Sequence, residues 1–359
     1  YTLWHTLSLH DALPISLFHF KEKICLIQIA TSQQSYLIDP LQIKDMSPLA
    51  PLLTDGTIKK VFHGGDYDIR CLYRDFQMEV NNIFDSEIAC RFLGRKTTGL
   101  NAVVQHLFDV TLDKKYQKKD WSQRPLQEPM LAYAAEDIIY LIPIYQALSE
   151  ELGKKGRLDW VDEECLLLSR VRPEINNNKP LFIKFKGAGR LDRRRLAVLE
   201  AVLQVRQSIA QSKDRPPFKV LSNKAIMDIV QKKIASGKTL QRKRMLSSKQ
   251  WALCGAQLEE AIQAALDLPE DKLPVYPRKK RTYPSASLSR RMKRLKQWRD
   301  EAAADLYMDP GVIFPKTLMA AVAEKNPDSV AALAEVNGLR KWQKAVFGED
   351  IVRVLKDMD

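Results

Sequence analysis

Three side chains have the types and spacing to do chemistry on a charged substrate. Tyr133 and Asp137 stand four residues apart within 130–151, MLAYAAEDIIYLIPIYQALSEE, where Leu131, Ala134, Ala135, Ile138, Ile142 and Tyr145 recur at three- and four-residue intervals. That spacing predicts one long helix, with the Tyr and the Asp one turn apart on a different face from the apolar residues. An Asp is a poor helix-interior residue unless it is solvated or used, and this one shares a row with Tyr133 and Tyr140. Asp68 is the third. It follows Phe62-His63-Gly64-Gly65-Asp66-Tyr67, read as a strand, a tight glycine turn and the start of a helix. That places Asp68 in a first helical turn near the carboxyl end of a strand, where ligands of α/β sheets gather. The bland role for Asp68 is to complement the helix dipole, worth about 0.3–1 kcal/mol. For Asp66 that role is preferred, as the expected N-cap.

The elements that must position these residues follow from the pattern on either side. Residues 23–30 (KICLIQIA) and 35–38 read as a strand pair, 44–53 as a short helix and 58–62 as a further strand. Helices are expected over 67–76, from Phe84-Asp85 through Leu93 and over 100–108, with Asp85 opening its helix as a cap or supporting residue. Strands alternating with helices predict an α/β domain. Residues 111–125, TLDKKYQKKDWSQRP, read as a surface loop, and 159–170 as the last helix before a boundary near Pro173. Asn176 to Pro180 (NNNKP) is linker composition. Beyond it the pattern is all-helical: 193–211, 223–231, 247–253, 257–266, 288–307, and segments from Pro315, Ser329 and Arg340. Between the two helical parts, 269–287 holds four prolines and the basic run Arg278-Lys279-Lys280-Arg281. Val220-Leu221 with Lys224 and Ile226-Met227 matches Val312-Ile313 with Lys316 and Leu318-Met319, an internal repeat at an offset of 92 residues.

A chain of 359 residues has room for two or three domains, and its hydrophobic share of 45% suits folded cores. A formal net charge of +13 and a pI near 9.4 favour a polyanionic partner, nucleic acid before a membrane surface. Five scattered cysteines form no C-x-x-C pair, which points to a reduced compartment with the cytoplasm as default. The five histidines lack zinc-ligand spacing. There is no apolar run long enough to span a membrane and no signal-peptide pattern.

On the residues FHGGDYDI around Asp68 and YAAEDIIYL around Tyr133 and Asp137, the chain resembles the second and third exonuclease motifs of the ribonuclease D family, in the DEDD branch with a tyrosine in its third motif. Cys25-Leu26-Ile27-Gln28-Ile29, Phe84-Asp85-Ser86, Leu112-Asp113-Lys114 and 120–126 (DWSQRPL) add to the resemblance, and the two helical repeats resemble HRDC domains. It runs from about Ser16 to the C-terminus. It implies a ribonuclease H-like mixed sheet flanked by helices over 1–172, a linker over 173–190, and all-α HRDC bundles over 191–268 and 287–359 joined by 269–286. It also implies a 3′→5′ exoribonuclease that releases 5′-nucleotides in tRNA 3′ maturation or small structured RNA processing. Asp68 and Asp137 would be ligands of two divalent cations, Mg²⁺ or Mn²⁺, and Tyr133 would orient the attacking water. Hard cations take oxygen ligands, and a metal pair stabilises both oxygens of an in-line displacement at phosphorus. Family membership implies a monomer.

The family's first motif, Asp-x-Glu, falls by count at positions 11–13, which here are Asp11-Ala12-Leu13. The Asp register agrees, but a leucine binds no metal, and the expected apolar strand before it is missing. Residues 1–15 resemble translated sequencing-adapter read-through and are expected to be non-native. The alternatives are a catalytically impaired homologue that still binds RNA and a DNA 3′→5′ exonuclease, although neither a helicase motif nor a Gly-rich phosphate loop is present. For RNA binding, Lys115, Lys118, Lys119, Trp121 and Arg124 combine phosphate-neutralising cations with an aromatic ring. Trp121 is equally readable as the anchor of its own loop. Arg193-Arg194-Arg195, 238–244 and 290–296 are further basic clusters, read together as guides for structured RNA.

Overall fold

The computed structural model describes residues 18–173, 179–231, 245–277 and 285–356, and the backbone alone of 6–11. The chain forms two compact units. One takes in the first strand, residues 24–173 and the chain from 285 on; the other takes in the described residues before 24 and those of 179–277.

The first unit is built on a five-stranded mixed sheet of order β3-β2-β1-β4-β5, with β1 at Thr6–Asp11, β2 at Ile27–Ala30, β3 at Ser35–Ile38, β4 at Lys59–Phe62 and β5 at Ile83–Asp85. β1 pairs antiparallel with β2 and parallel with β4. The sequence expectation that no strand precedes residue 16 is therefore corrected. Thr6–Asp11 is the central strand, because two neighbours satisfy its backbone. Helices follow the strands: α1 (Leu49–Thr54), α2 (Asp66–Phe76), α3 (Ser86–Phe92), α4 (Leu100–Phe108), α5 (Glu128–Ile139), α6 (Leu141–Lys154) and α7 (Leu158–Leu168).

The long helix expected over 130–151 is two helices that meet at Tyr140. Pro143 explains the break: it has no N–H to give the Ile139 carbonyl, and its ring would clash with that carbonyl in a continuous helix. The buried stripe of α5 is Met130, Tyr133, Ala134, Asp137 and Ile138, so Tyr133 and Asp137 lie on the inward face itself and not beside it. Helix α5 packs against β1, β2 and β3.

The C-terminal helices belong to this same unit and share its hydrophobic core. Trp160 of α7 stacks on Trp342 with ring centroids 4.7 Å apart, and Phe92 meets Trp342 edge-on at 5.3 Å. Glu163 accepts from the backbone N–H groups of Lys341 (2.8 Å) and Trp342 (3.0 Å), satisfying two otherwise unpaired donors at the start of helix Lys341–Lys356. Buried Arg157 donates to the carbonyls of Phe92 (2.8 Å) and Leu306 (3.0 Å).

The second unit is helical, with Arg193–Ser212, Pro217–Val220, Asn223–Gln231 and Ser248–Leu266 around its own core. The break expected between 253 and 257 is absent. Ser248–Leu266 is one helix opened by a Ser247–Gln250 capping box, and Gly255 passes through it because the Trp251 ring occupies the place of a Cβ. The repeat is real but sits at an offset of 93: Ala286–Asp305, Pro310–Ile313, Lys316–Lys325 and Lys341–Lys356 each start 93 residues after their counterparts. The single-residue shift brings Val220 over Ile313 and Leu221 over Phe314, all four buried.

Candidate active site

Strand β4 delivers the first site element. After Phe62 the chain turns through His63-Gly64-Gly65. Gly64 takes φ +69, and a Cβ on Gly65 would lie 2.8 Å from Cβ of Phe62. Gly65 caps α2 without a side chain, so Asp66 is not the N-cap expected of it but a residue of the first turn. It faces outward, and Arg70 Nε donates to its carboxylate at 2.7 Å. Asp68, two residues on, is turned inward and only 5% exposed.

The turn is held by Asp85. Its carboxylate accepts from four backbone N–H groups: Gly64 (3.2 Å) and Gly65 (2.7 Å) of the turn, and Glu87 (2.9 Å) and Ile88 (3.0 Å) at the start of α3. The capping role read for Asp85 is present. Its hold on the turn before α2 was not legible, since the two segments are twenty residues apart in sequence. His63 Nδ1 lies 2.9 Å from Ser86 Oγ, which donates to the Phe62 carbonyl at 2.9 Å, so strand, turn and α3 are stitched together.

Helix α5 supplies the second element. Tyr133 and Asp137 are both 8% exposed, and the Tyr133 hydroxyl donates to the Asp137 carboxylate. Burial first, then the Asp137 charge, push the Tyr133 phenol far above its ordinary range. It is a neutral phenol at any physiological pH, able to orient a polar ligand and unable to act as a phenolate base. Its ring lies 6.1 Å from that of Trp121 and 6.0 Å from that of Tyr116.

Those neighbours reassign part of the basic loop. Trp121 is 1% exposed and donates its indole N–H to the Tyr116 carbonyl at 3.2 Å; no base can stack on it, and it anchors the loop against Tyr133. Arg124 is also committed. It grips Asp39 through Nε (2.5 Å) and Nη2 (2.7 Å) and donates to the carbonyls of Cys25 (2.7 Å) and Trp121 (2.8 Å). Its guanidinium holds the Asp39 carboxyl below the usual carboxylate range. Lys115, Lys118 and Lys119 remain exposed on the loop surface. Of the other basic clusters, exposed Arg193 donates to the Leu273 carbonyl (2.8 Å), and Arg194 donates to the Leu266 carbonyl (2.9 Å) and pairs with Glu270 (2.8 Å). Residues 238–244 and 278–281 lie outside the described residues. Arg290, Lys293, Arg294 and Lys296 are exposed.

Strand β1 runs parallel to β4 with Ser8 opposite Val61, so its end at Asp11 lies at the sheet edge where β4 opens into the glycine turn. The Asp11 side chain and Leu13 lie outside the described residues. Among the described residues no three His, Cys, Asp or Glu side chains form a metal-binding group; Asp68 and Asp137 are two buried carboxylates with oxygen donors only.

Comparison with known proteins defines the class. The 3′-5′ exonuclease family profile matches residues 14–153, and the HRDC domain profile matches twice, at 195–262 and 289–355. Ribonuclease D of Gluconacetobacter diazotrophicus is 30% identical over 93% of this chain and 84% of its own length. That of Granulibacter bethesdensis is 28% identical over 91% and 82%. The crystal structure of Escherichia coli RNase D, described as an exoribonuclease involved in structured RNA processing, superposes with a TM-score of 0.72 at 25% identity, covering 99% of this chain and 94% of that one. The chain belongs to the ribonuclease D family of 3′-5′ exoribonucleases.

Proposed function

We propose that the chain releases 5′-nucleotides from RNA 3′ ends at a site where Asp68, Tyr133 and Asp137 converge on the end of β1, with tRNA precursors and small structured RNAs as substrates. The observation that carries this reading is the buried, neutral Tyr133 phenol bonded to Asp137, on a helix that packs on the strand bordering β4. Asp68 and Asp137 have the all-oxygen donor chemistry of a Mg²⁺ or Mn²⁺ site, and would hold such ions together with Asp11 at the end of β1, where Leu13 leaves the set one carboxylate short. When bound, the ions neutralise charge at the scissile phosphate. Tyr133 orients the attacking water through its hydroxyl, whose direction the Asp137 bond fixes. Lys115, Lys118 and Lys119 attract the phosphate backbone, which makes binding salt-dependent.

Leu13 favours a second reading, an RNA-binding homologue with impaired catalysis, because it stands where the family places a glutamate. A 3′-extended tRNA with Mg²⁺ or Mn²⁺ discriminates the two, using the chain as it stands, Leu13→Glu, and Leu13→Glu combined with Asp137→Asn. Nucleotide release by Leu13→Glu that Asp137→Asn abolishes supports the exonuclease site. Silence of all three, with tight salt-sensitive RNA binding, supports the impaired homologue.

A further inference from the structure

A cavity of about 1440 Å³ in the first unit is lined by neither Asp68 nor Tyr133. It lies between α3 with its following turn and the C-terminal helical repeat. This exceeds the roughly 300–1,000 Å³ of small-molecule sites and suits a stretch of polymer. Its walls are fixed against each other. Arg157 bridges the Phe92 and Leu306 carbonyls, and Gly94, at φ +78, approaches so closely that a Cβ would sit 1.8 Å from the Tyr307 carbonyl oxygen. The charges lining it are basic in balance: Arg91, Arg95, Lys96 and Arg340 against Glu164 and Asp309. Arg95 and Arg340 are spent on Glu151 and Glu164. Arg91, paired with Glu87, and Lys96 are exposed to the opening.

Tyr307 adds a second, independent observation. It lines the cavity with 84% of its surface exposed, so its ring supports no packing. It also occupies the left-handed position (φ +54) that ends helix Ala286–Asp305, where the Met308 N–H reaches the Ala303 carbonyl at 2.9 Å. Glycine is the favoured residue there and a bulky ring is a rare one. An aromatic kept at an unfavourable backbone position, bare to solvent, beside the exposed Lys96 and Arg91, matches a stacking platform for an unpaired base. The cavity wall also touches the site's own scaffold: Thr98 donates to Glu87 at 3.4 Å, and the Glu87 carboxylate lies 2.8 Å from where a Gly64 Cβ would be.

We infer that this cavity is a secondary binding site for single-stranded RNA, with a base stacked on Tyr307 and the flanking phosphates held by Arg91 and Lys96. The inference rests on the exoribonuclease reading for the identity of the polymer. Its test does not, because binding is read without turnover. The full chain is titrated in EDTA against a fluorescent twelve-residue oligoribonucleotide, followed by anisotropy. Tyr307→Ala is expected to weaken binding about tenfold and Tyr307→Phe to leave it unchanged. Lys96→Ala is expected to reduce the salt dependence by about 0.7 in log–log slope. Tyr307→Gly relieves the backbone and is expected to raise Tm by about 2–4 °C while binding as weakly as the Ala variant, a combination that misfolding cannot produce. Wild-type affinity in both Tyr307→Ala and Tyr307→Gly overturns the site. If binding falls as expected while no form of the chain releases nucleotides, the site stands and the exonuclease reading falls.

Discussion

Replacing Asp85 separates a carboxylate that builds the site from one that serves in it. Asp85 is 1% exposed and accepts four backbone N–H groups. In Asp85→Ala all four lose their acceptor. The lost cap on α3 costs about 1 kcal/mol, and the buried Gly65 donor, left without water, about 1–3 kcal/mol more. With the half-buried Gly64 donor the total is about 2–5 kcal/mol, a large part of the roughly 5–15 kcal/mol that holds a domain folded. Asp85→Asn keeps one oxygen for three of the donors but turns an amide NH₂ toward the fourth, so about 1–2 kcal/mol is expected. Urea unfolding followed by tryptophan fluorescence reads this well, since Trp121, Trp160, Trp298 and Trp342 all lie in the unit that contains Asp85. The same variants in the Leu13→Glu background distinguish support from ligation. Asp85→Asn should keep the half-saturating Mn²⁺ concentration within about twofold, whereas Asp137→Asn abolishes activity. Stability of Asp85→Ala within about 0.5 kcal/mol of the parent chain, or a tenfold rise in the Mn²⁺ requirement of Asp85→Asn, would refute the reasoning.

Four further outcomes are expected. Tyr133→Phe keeps the ring beside Trp121 and loses only the bond to Asp137, so turnover in the Leu13→Glu background should fall about 10²-fold with Tm nearly unchanged, measured by nucleotide release and calorimetry. Lys60 in β4 is fully buried and its ammonium is pushed down to about 8 by that burial. The unfolded chain therefore binds the extra proton between pH 8 and 10.5, the penalty is complete below pH 8, and stability rises across that window. Denaturation at pH 7 and pH 10.5 should show a rise of about 1–3 kcal/mol that Lys60→Met removes. Arg124→Lys cannot reproduce the two-pronged grip on Asp39 together with the carbonyl bonds, and should lower stability by about 1–3 kcal/mol while leaving the salt slope of RNA binding unchanged. Lys118→Ala and Lys119→Ala should do the reverse, lowering the slope by about 0.7 each at constant Tm.

What the sequence determined by itself were the features carried by local chemistry. Strand Ser35–Ile38, helix Leu100–Phe108 and helix Asn223–Gln231 appear at the bounds their patterns imply, because turn residues and side-chain period act over a few positions. The motifs around Asp68 and Tyr133-x-x-x-Asp137 identified the family, since residue types at fixed spacing need no coordinates. Tertiary structure decided everything that depends on partners far apart in the chain. The central strand Thr6–Asp11 exists through its neighbours on both sides. Trp121 and Arg124 look like a nucleic-acid surface in sequence, yet a buried pocket beside Tyr133 and an Asp39 carboxylate 85 residues away claim them. The last helical repeat resembles the first in sequence but shares a core with the nuclease sheet, because Trp342 finds Trp160 and Phe92 there. Composition shows that a residue is aromatic or charged; only the packed chain shows whether water or another part of the protein reaches it first.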